Sequence, residues 1–167
     1  MSAEQVVRDY FEALARKDAD GAAAMWREGC VDRLHGIAEL RAPAGVRDYF
    51  TELFEAFPDW RFEVVELVAS DELVAVRWRT RAAFTGPGRF QGIAPTGATV
   101  ELEGCDMLRV LGGEIVENNA YTNGMQIAEQ LGLLPAQDST AGRAMTAAFN
   151  ARTSAAAGLR RLRERNA

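Results

Sequence analysis

From Trp60 to Thr122 the chain reads as strand after strand with only turns between them. The runs are WRFEVVELVA, then ELVAVRWRTRAAF after a Ser-Asp turn, then ATVELEGCDMLRVL beyond a Gly/Pro-rich loop TGPGRFQGIAPTG, then EIVENNAYT. β-Branched and aromatic residues alternate with polar ones, as strands with one buried face require. No helical segment lies between the runs to serve as a crossover, so a parallel sheet is excluded and the strands should pair antiparallel. Helical periodicity is confined to the flanks, which makes the fold class α+β.

Ser2 with Gln5 three residues later has the form of a capping box. Val6, Val7, Tyr10, Phe11 and Leu14 then fall on one helical face, giving a first helix to about Asp18. A short second helix is expected over Ala19 to Arg27. A third opens at Pro43, with Val46, Phe50, Leu53 and Phe54 at helical spacing, and ends near Phe57-Pro58. After the strands, Met125 to Leu131 reads as a short helix with Gly132 as its C′ residue. Pro135 to Thr140 reads as a linker and Ala141 to Arg165 as an appended Ala/Arg helix. Its thin apolar stripe of Met145, Phe149, Ala156 and Leu159 cannot support a fold of its own and should dock on another surface. The division is a domain over residues 1–135 and an appendage over 136–167.

The 167 residues, 48% of them hydrophobic, suffice for one domain with a core. No apolar run approaches the roughly 18 residues of a membrane helix, and the acidic start MSAEQVVRDY is unlike an export signal, so a cytoplasmic protein without membrane contact is expected. Cys30 and Cys105 form no CxxC or Cys/His cluster, which leaves a zinc site or disulfide framework unsupported. The net charge of −5 divides unevenly: residues 143–167 carry +5 and the rest −10. A basic helix lying against an acidic surface, its own or a partner's, explains this better than nucleic-acid binding by so short a patch.

The hairpin GCDMLRVLGGEIVENNAYT places an acid, Asp106, inside an apolar alternation. A two-residue turn at Gly112-Gly113 would oppose Asp106 to Asn119. A three-residue loop with a bulge opposes it to Ala120, Arg109 to Glu117 and Leu111 to Ile115, and this register is preferred for its charge pairing. One face then carries Gly104, Asp106, Leu108 and Val110 with Val116, Asn118, Ala120 and Thr122, and should face the helices. A buried carboxyl there must find a donor, take up a proton or face a cavity.

The pieces FPDWRFEVVELVASDELVAVRW (57–78), GIAPTG (92–97), DMLRVLGGEIVE (106–117) and EQLGLLP (129–135), in this order, resemble the SnoaL-like polyketide cyclases of the NTF2-like superfamily. The resemblance covers residues 4–135. It implies a cone, N-terminal helices packed in a curved antiparallel sheet around a ligand pocket, and a homodimer or higher homo-oligomer. The cyclases' acid/base aspartate falls at position 120 and a histidine at 106, where this chain has Ala120 and Asp106. Similarity to the more distant ketosteroid isomerases implies an oxyanion hole from Asp106 in DMLR and Tyr10 in RDYFE, with Asp32 or His35 of VDRLHG as base.

The expected catalytic residues are therefore Asp106, Tyr10, His35 and Asp32. Trp26, Phe50, Phe54, Trp78, Phe84, Leu108, Asn118, Ala120 and Thr122 are the expected substrate contacts. No catalytic triad order, phosphate loop or dinucleotide fingerprint occurs. The expectation is a cofactor-independent, metal-free cyclase or isomerase acting on an apolar carbonyl compound. The alternative is a binding protein that has lost the acid at position 120.

Overall fold

In the computed structural model, which describes residues 1–165, Ser2 caps the first helix, α1 (Ala3–Ala15), by accepting from the Gln5 backbone N–H at 3.2 Å. The five apolar residues expected on one face are all buried. The second helix, α2 (Ala19–Ala23), begins at Asp18, whose carboxylate accepts from Gly21 N–H at 2.8 Å. It stops short of the expected Arg27 because Trp26 opens a strand, β1 (Trp26–Leu34), which pairs with β2 (Ala38–Arg41). Neither strand was expected. In β1 the alternation is broken by Gly29 at φ 79° and by a register shift between Trp26 and Val31, so no stripe of period two survives in the sequence.

Helix α3 (Ala44–Ala56) follows Pro43, and the four expected strands follow it: β3 (Arg61–Ser70), β4 (Leu73–Ala83), β5 (Thr99–Leu111) and β6 (Glu114–Thr122). The six strands form one sheet in the order β2-β1-β6-β5-β4-β3. One pairing corrects the sequence reading, since β1 runs parallel to β6. A parallel sheet was excluded for want of a helix between strands, but here the first strand meets the last, and α3 with four strands supplies a more than sufficient crossover. Helix α1 packs across β3, β4, β5 and β6, while α2 and α3 pack on each other, so the helices lie within the curve of the sheet.

The β5–β6 hairpin combines the two registers considered for it. Gly112 and Gly113 form a two-residue turn with φ of 63° and 85°, the left-handed pair that only glycine supplies readily, and Leu111 pairs with Glu114. A bulge between Arg109 and Val110 then absorbs Val116, so that Arg109 faces Glu117 and Asp106 faces Ala120 as expected. The bulge is one pair inside the strands instead of at the loop, and for that reason Ile115, not Val116, points into the core. Asp106, Leu108, Val110, Asn118 and Ala120 are buried on the same face.

Helix α4 (Gly124–Gln130) ends through Leu131, with Gly132 at φ 79° in the C′ position. Helix α5 (Thr140–Arg165) is a single run of 26 residues, about 39 Å long at the standard rise. Among the described residues the helix does not dock on the body of the chain. Met145 is 51% and Phe149 67% exposed, and no described element packs along the helix. The stripe residue Leu159 lies outside the described side chains. No helix among the described residues is long and apolar enough to cross a membrane.

Since no described side chain of α5 belongs to the core, a chain ending at Asp138 should retain the full chain's melting temperature within about 2 °C at dilute concentration, where loss of even 1 kcal/mol would shift it by several degrees. Differential scanning fluorimetry reads this directly, and a drop of 5 °C or more would show that the helix stabilises the domain.

Candidate functional site

The sheet does not close tightly on its helices. Between α1, α3, α4 and the inner faces of β1, β4, β5 and β6 lies a cavity of about 320 Å³, within the range of small-molecule sites. Its wall is mostly apolar, with aromatic rings from α1, α3, β3 and β4 among aliphatic side chains. Phe62 stacks on Phe11 at 5.5 Å between centroids, and Tyr49 meets Phe90 edge-on at 5.6 Å. No Lys, Arg or His side chain lines it.

Its polar end is built by three strands. The parallel β1–β6 pairing sets Asp32 beside Asn118, and the β5–β6 ladder sets Asp106 on the other side, two residue pairs along and on the same face. All three are buried, Asp32 and Asn118 to 1% exposure and Asp106 to 5%. A single amide bridges the two acids: Asn118 Nδ2 donates to Asp32 Oδ1 at 3.0 Å and to Asp106 Oδ2 at 2.8 Å. An ionised Asp106 only accepts, so the amide nitrogen is the atom turned to the two acids, and Asn118 Oδ1 is left buried without a partner. The remaining oxygen, Asp106 Oδ1, accepts from the Trp78 indole Nε1–H at 2.7 Å.

Burial dominates the electrostatics, because it penalises the charged form of each acid. It pushes Asp32 up to about 7, helped by the charge of Asp106 and opposed by the bond from Asn118. Asp106 is also raised by burial, but two N–H donors hold it back. The hydroxyl of Tyr10 is raised well above its ordinary value by burial and then by both acids, and that of Tyr49 by burial and then by Asp32 and Glu52. Both tyrosines therefore remain neutral donors at any physiological pH. The Tyr10 hydroxyl lies by the Trp26 indole, whose Nε1–H nevertheless makes no full hydrogen bond.

Of the residues singled out in the sequence, Tyr10, Asp32 and Asp106 line the cavity together, with Phe50, Trp78, Asn118, Ala120 and Thr122. His35 does not join them. It follows β1 on the opposite side of the sheet, exposed, with Nε2 3.0 Å from Asn119 Oδ1 and its ring stacked on Tyr121 at 4.4 Å. The choice between Asp32 and His35 as the inward group thus falls to Asp32. Trp26 lies behind Tyr10, edge-on at 6.2 Å, and Phe84 is stacked on Phe57 at 4.8 Å. Phe54 packs outside the cavity between Phe50 and Trp60, and Leu108 is wholly buried in the core, so these four are not wall residues. The sequence reading passed over Tyr49, Trp60, Phe62 and Phe90. Tyr49 stands three residues beyond Val46, and that helical spacing marked it as inward.

Among the described residues no group of three or more His, Cys, Asp or Glu side chains could hold a metal ion. Two buried acids, neutral phenols and an apolar chamber are equipped for proton transfer to and from a carbon acid and for hydrogen bonding to its enolate.

Residues 4–131 match the model of the SnoaL-like polyketide cyclase family. Among solved structures, AclR, a proposed hydroxylase from Streptomyces galilaeus, is 27% identical with a TM-score of 0.67, over 80% of this chain and 97% of its own. IdmH, a proposed polyketide cyclase from Streptomyces antibioticus, is 24% identical with a TM-score of 0.65, over 79% and 99% of the two chains. A SnoaL-like protein from Jannaschia is 19% identical with a TM-score of 0.69, over 80% and 93%. The neighbours include a protein of NTF2-like fold from Burkholderia thailandensis, which agrees with the cone. No curated protein sequence matches the chain.

The raised acid has a thermodynamic consequence. Asp32 is easier to protonate folded than unfolded, so its contribution to stability is intact below the ordinary carboxylate range and is lost as pH rises to about 7. Asp32→Asn keeps the acceptor for Asn118 and cannot ionise. It should be more stable than the wild type at pH 8, by roughly 4 kcal/mol, with the difference nearly gone by about pH 4. Urea denaturation at the two pH values measures this, and equal stability at pH 8 would show that Asp32 ionises without penalty.

Proposed function

Because the chain belongs to the SnoaL-like polyketide cyclase family, we propose that it is a cofactor-independent acid–base enzyme that forms and reprotonates an enolate on an apolar, ring-bearing carbonyl compound. The observation that carries this reading is the pair of buried acids joined through Asn118 at the polar end of the aromatic cavity.

The two acids take unequal parts. Asp106 accepts from two N–H groups, and hydrogen bonds to the charged form favour ionisation. Asp32 accepts from one and titrates at about 7, the value suited to a base working near neutrality. A C–H bond beside the substrate carbonyl breaks, its proton passes to the Asp32 carboxylate, and its electron pair becomes the enolate. Tyr10 O–H donates to the enolate oxygen. The proton then returns from Asp32 to another carbon in an isomerisation, or to the oxygen of a second carbonyl that the enolate carbon attacks in a ring closure. Asp106, expected from sequence to donate to the enolate, instead serves as the anionic neighbour, since both of its oxygens are already accepting.

Position 120 bears on the alternative of a binding protein that has lost its catalyst. Ala120 lines the cavity without a carboxyl group. It pairs with Leu34 of β1, and Asp32 lies two residues earlier on that strand, on the same face. The acid missing from β6 is thus matched by one on the adjacent strand, which favours an enzyme over a pure binder. A second copy of the chain is part of the same reading. The uncovered Met145 and Phe149 and the basic charge of α5 suit the acidic body of another subunit better than nucleic acid.

The test uses 2-tetralone, a bicyclic ketone with exchangeable protons beside its carbonyl, in deuterated water with exchange followed by mass spectrometry. Catalysed exchange should rise with pH to a plateau above about 7. Asp32→Asn should lower it by about 10²- to 10⁴-fold and Tyr10→Phe by about 10²-fold. Bound 2-tetralone that exchanges only at the solvent rate, with no change in Asp32→Asn, would establish the binder instead. Sedimentation of the full chain and of one ending at Asp138 tests the partner: a dimer becoming a monomer supports α5 in the interface, and unchanged mass removes it.

A further inference from the structure

Three tryptophans are partly or wholly buried, and the indole N–H of only one of them has a partner: those of Trp26 and Trp60 are buried without one, whereas Trp78 donates to Asp106. Trp78 reaches Asp106 diagonally across the β4–β5 ladder. Its direct cross-strand partner is Gly104, and Asp106 is the next residue on that face of β5. The ring lies over Gly104 so closely that a Cβ there would collide with the indole atoms beside Nε1. On its other side the ring is held by Phe62, 5.4 Å between centroids. A missing side chain on β5 and an aromatic ring on β3 together fix where the indole N–H points.

We propose that Trp78, seated on Gly104, is a positioning residue that keeps the proton shared by the two acids on Asp32, by donating permanently to Asp106. The inference deepens the proposed acid–base function and rests on it only for its catalytic meaning. The groups facing Asp106 are few. Asn118 of β6 donates to it, Asp32 of β1 lies across the same amide, and Tyr10 of α1 is close enough to feel its charge. Tyr49 of α3 faces Asp32, and the thiol of neighbouring Cys105 is raised by burial and by Asp106. None of these brings a positive charge. Without the indole, Asp106 keeps a single donor and takes the proton more readily. Asp32, freed of an anionic neighbour, then ionises more readily. The two acids should therefore shift in opposite directions, which general loosening of the wall would not cause.

Carboxyl ¹³C resonances of the ligand-free protein, labelled at aspartate and followed against pH, read this without any turnover, so a failure of the enzymatic reading leaves the test intact. In Trp78→Phe, Asp106 should titrate higher and Asp32 lower than in the wild type, each by on the order of one unit. Gly104→Ala, which displaces the ring while keeping the indole, should give the same pair of shifts. In the unaltered protein the Trp78 indole proton resonance should move as Asp106 titrates while those of Trp26 and Trp60 stay still, and this measurement stands even where a variant does not fold. Wild-type titration of both acids in Trp78→Phe, or three indole resonances indifferent to pH, would overturn the proposal.

Discussion

The structure depends on one amide nitrogen that serves two carboxyl groups. Asn118 Nδ2 is the bond that Asp32 and Asp106 have in common, in a place where water is largely excluded and neither acid has a basic partner. Burying an unpaired carboxylate costs several kcal/mol, and removal of a donor from such a group costs more than the bond itself was worth. Every larger feature of the fold serves to bring these three side chains together. The β1–β6 pairing must be parallel and in its observed register for Asp32 to meet Asn118, and the bulge in the β5–β6 hairpin must occur where it does for Asp106 to face inward. A slip of one residue in either ladder would turn an acid to the outside of the sheet.

The site and the core answer to opposing demands. A close-packed interior would fill the chamber, and an apolar residue in place of either acid would satisfy it better. Instead the wall includes rings that meet one another stacked, edge-on or tilted around an open centre. The unpartnered oxygen of Asn118 and the two raised acids are costs of the kind that functional sites carry and stable cores avoid. This concentration of cost at one end of a cavity argues that the arrangement is for use.

Much of the fold was legible because its periods are clean. The helical face of α1, the meander from β3 to β6 and the inward direction of Asp106 follow from spacing alone. The two strands that escaped, β1 and β2, escaped for one reason. An inward strand position in β1 is occupied by an acid, Asp32, and the bend at Gly29 resets the alternation, so the segment WREGCVDRL lacks the apolar stripe by which strands are recognised. The buried acid thereby hid the element that carries it. His35, three residues on, looked equally eligible as a base, and only the pairing of β1 with β6 separates the inward carboxyl from the outward imidazole. The wall residues Phe84 and Leu108 were misplaced because sequence cannot tell a side chain that fills the core from one that borders a cavity within it. The uncovered stripe of α5 shows the converse limit: a pattern that calls for a partner does not name one.

Burial in this chamber should let one carboxylic acid, Asp32, hold its proton up to neutral pH. Infrared difference spectroscopy between acidic and basic solution tests it most directly, because a buried protonated carboxyl has a carbonyl band distinct from that of a carboxylate. A band should disappear as pH passes about 7, be absent from Asp32→Asn, and disappear at lower pH in Asp106→Asn, where the neighbouring charge is gone. A protein in which no such band exists above the ordinary carboxylate range, or in which it survives Asp32→Asn unchanged, would contradict it.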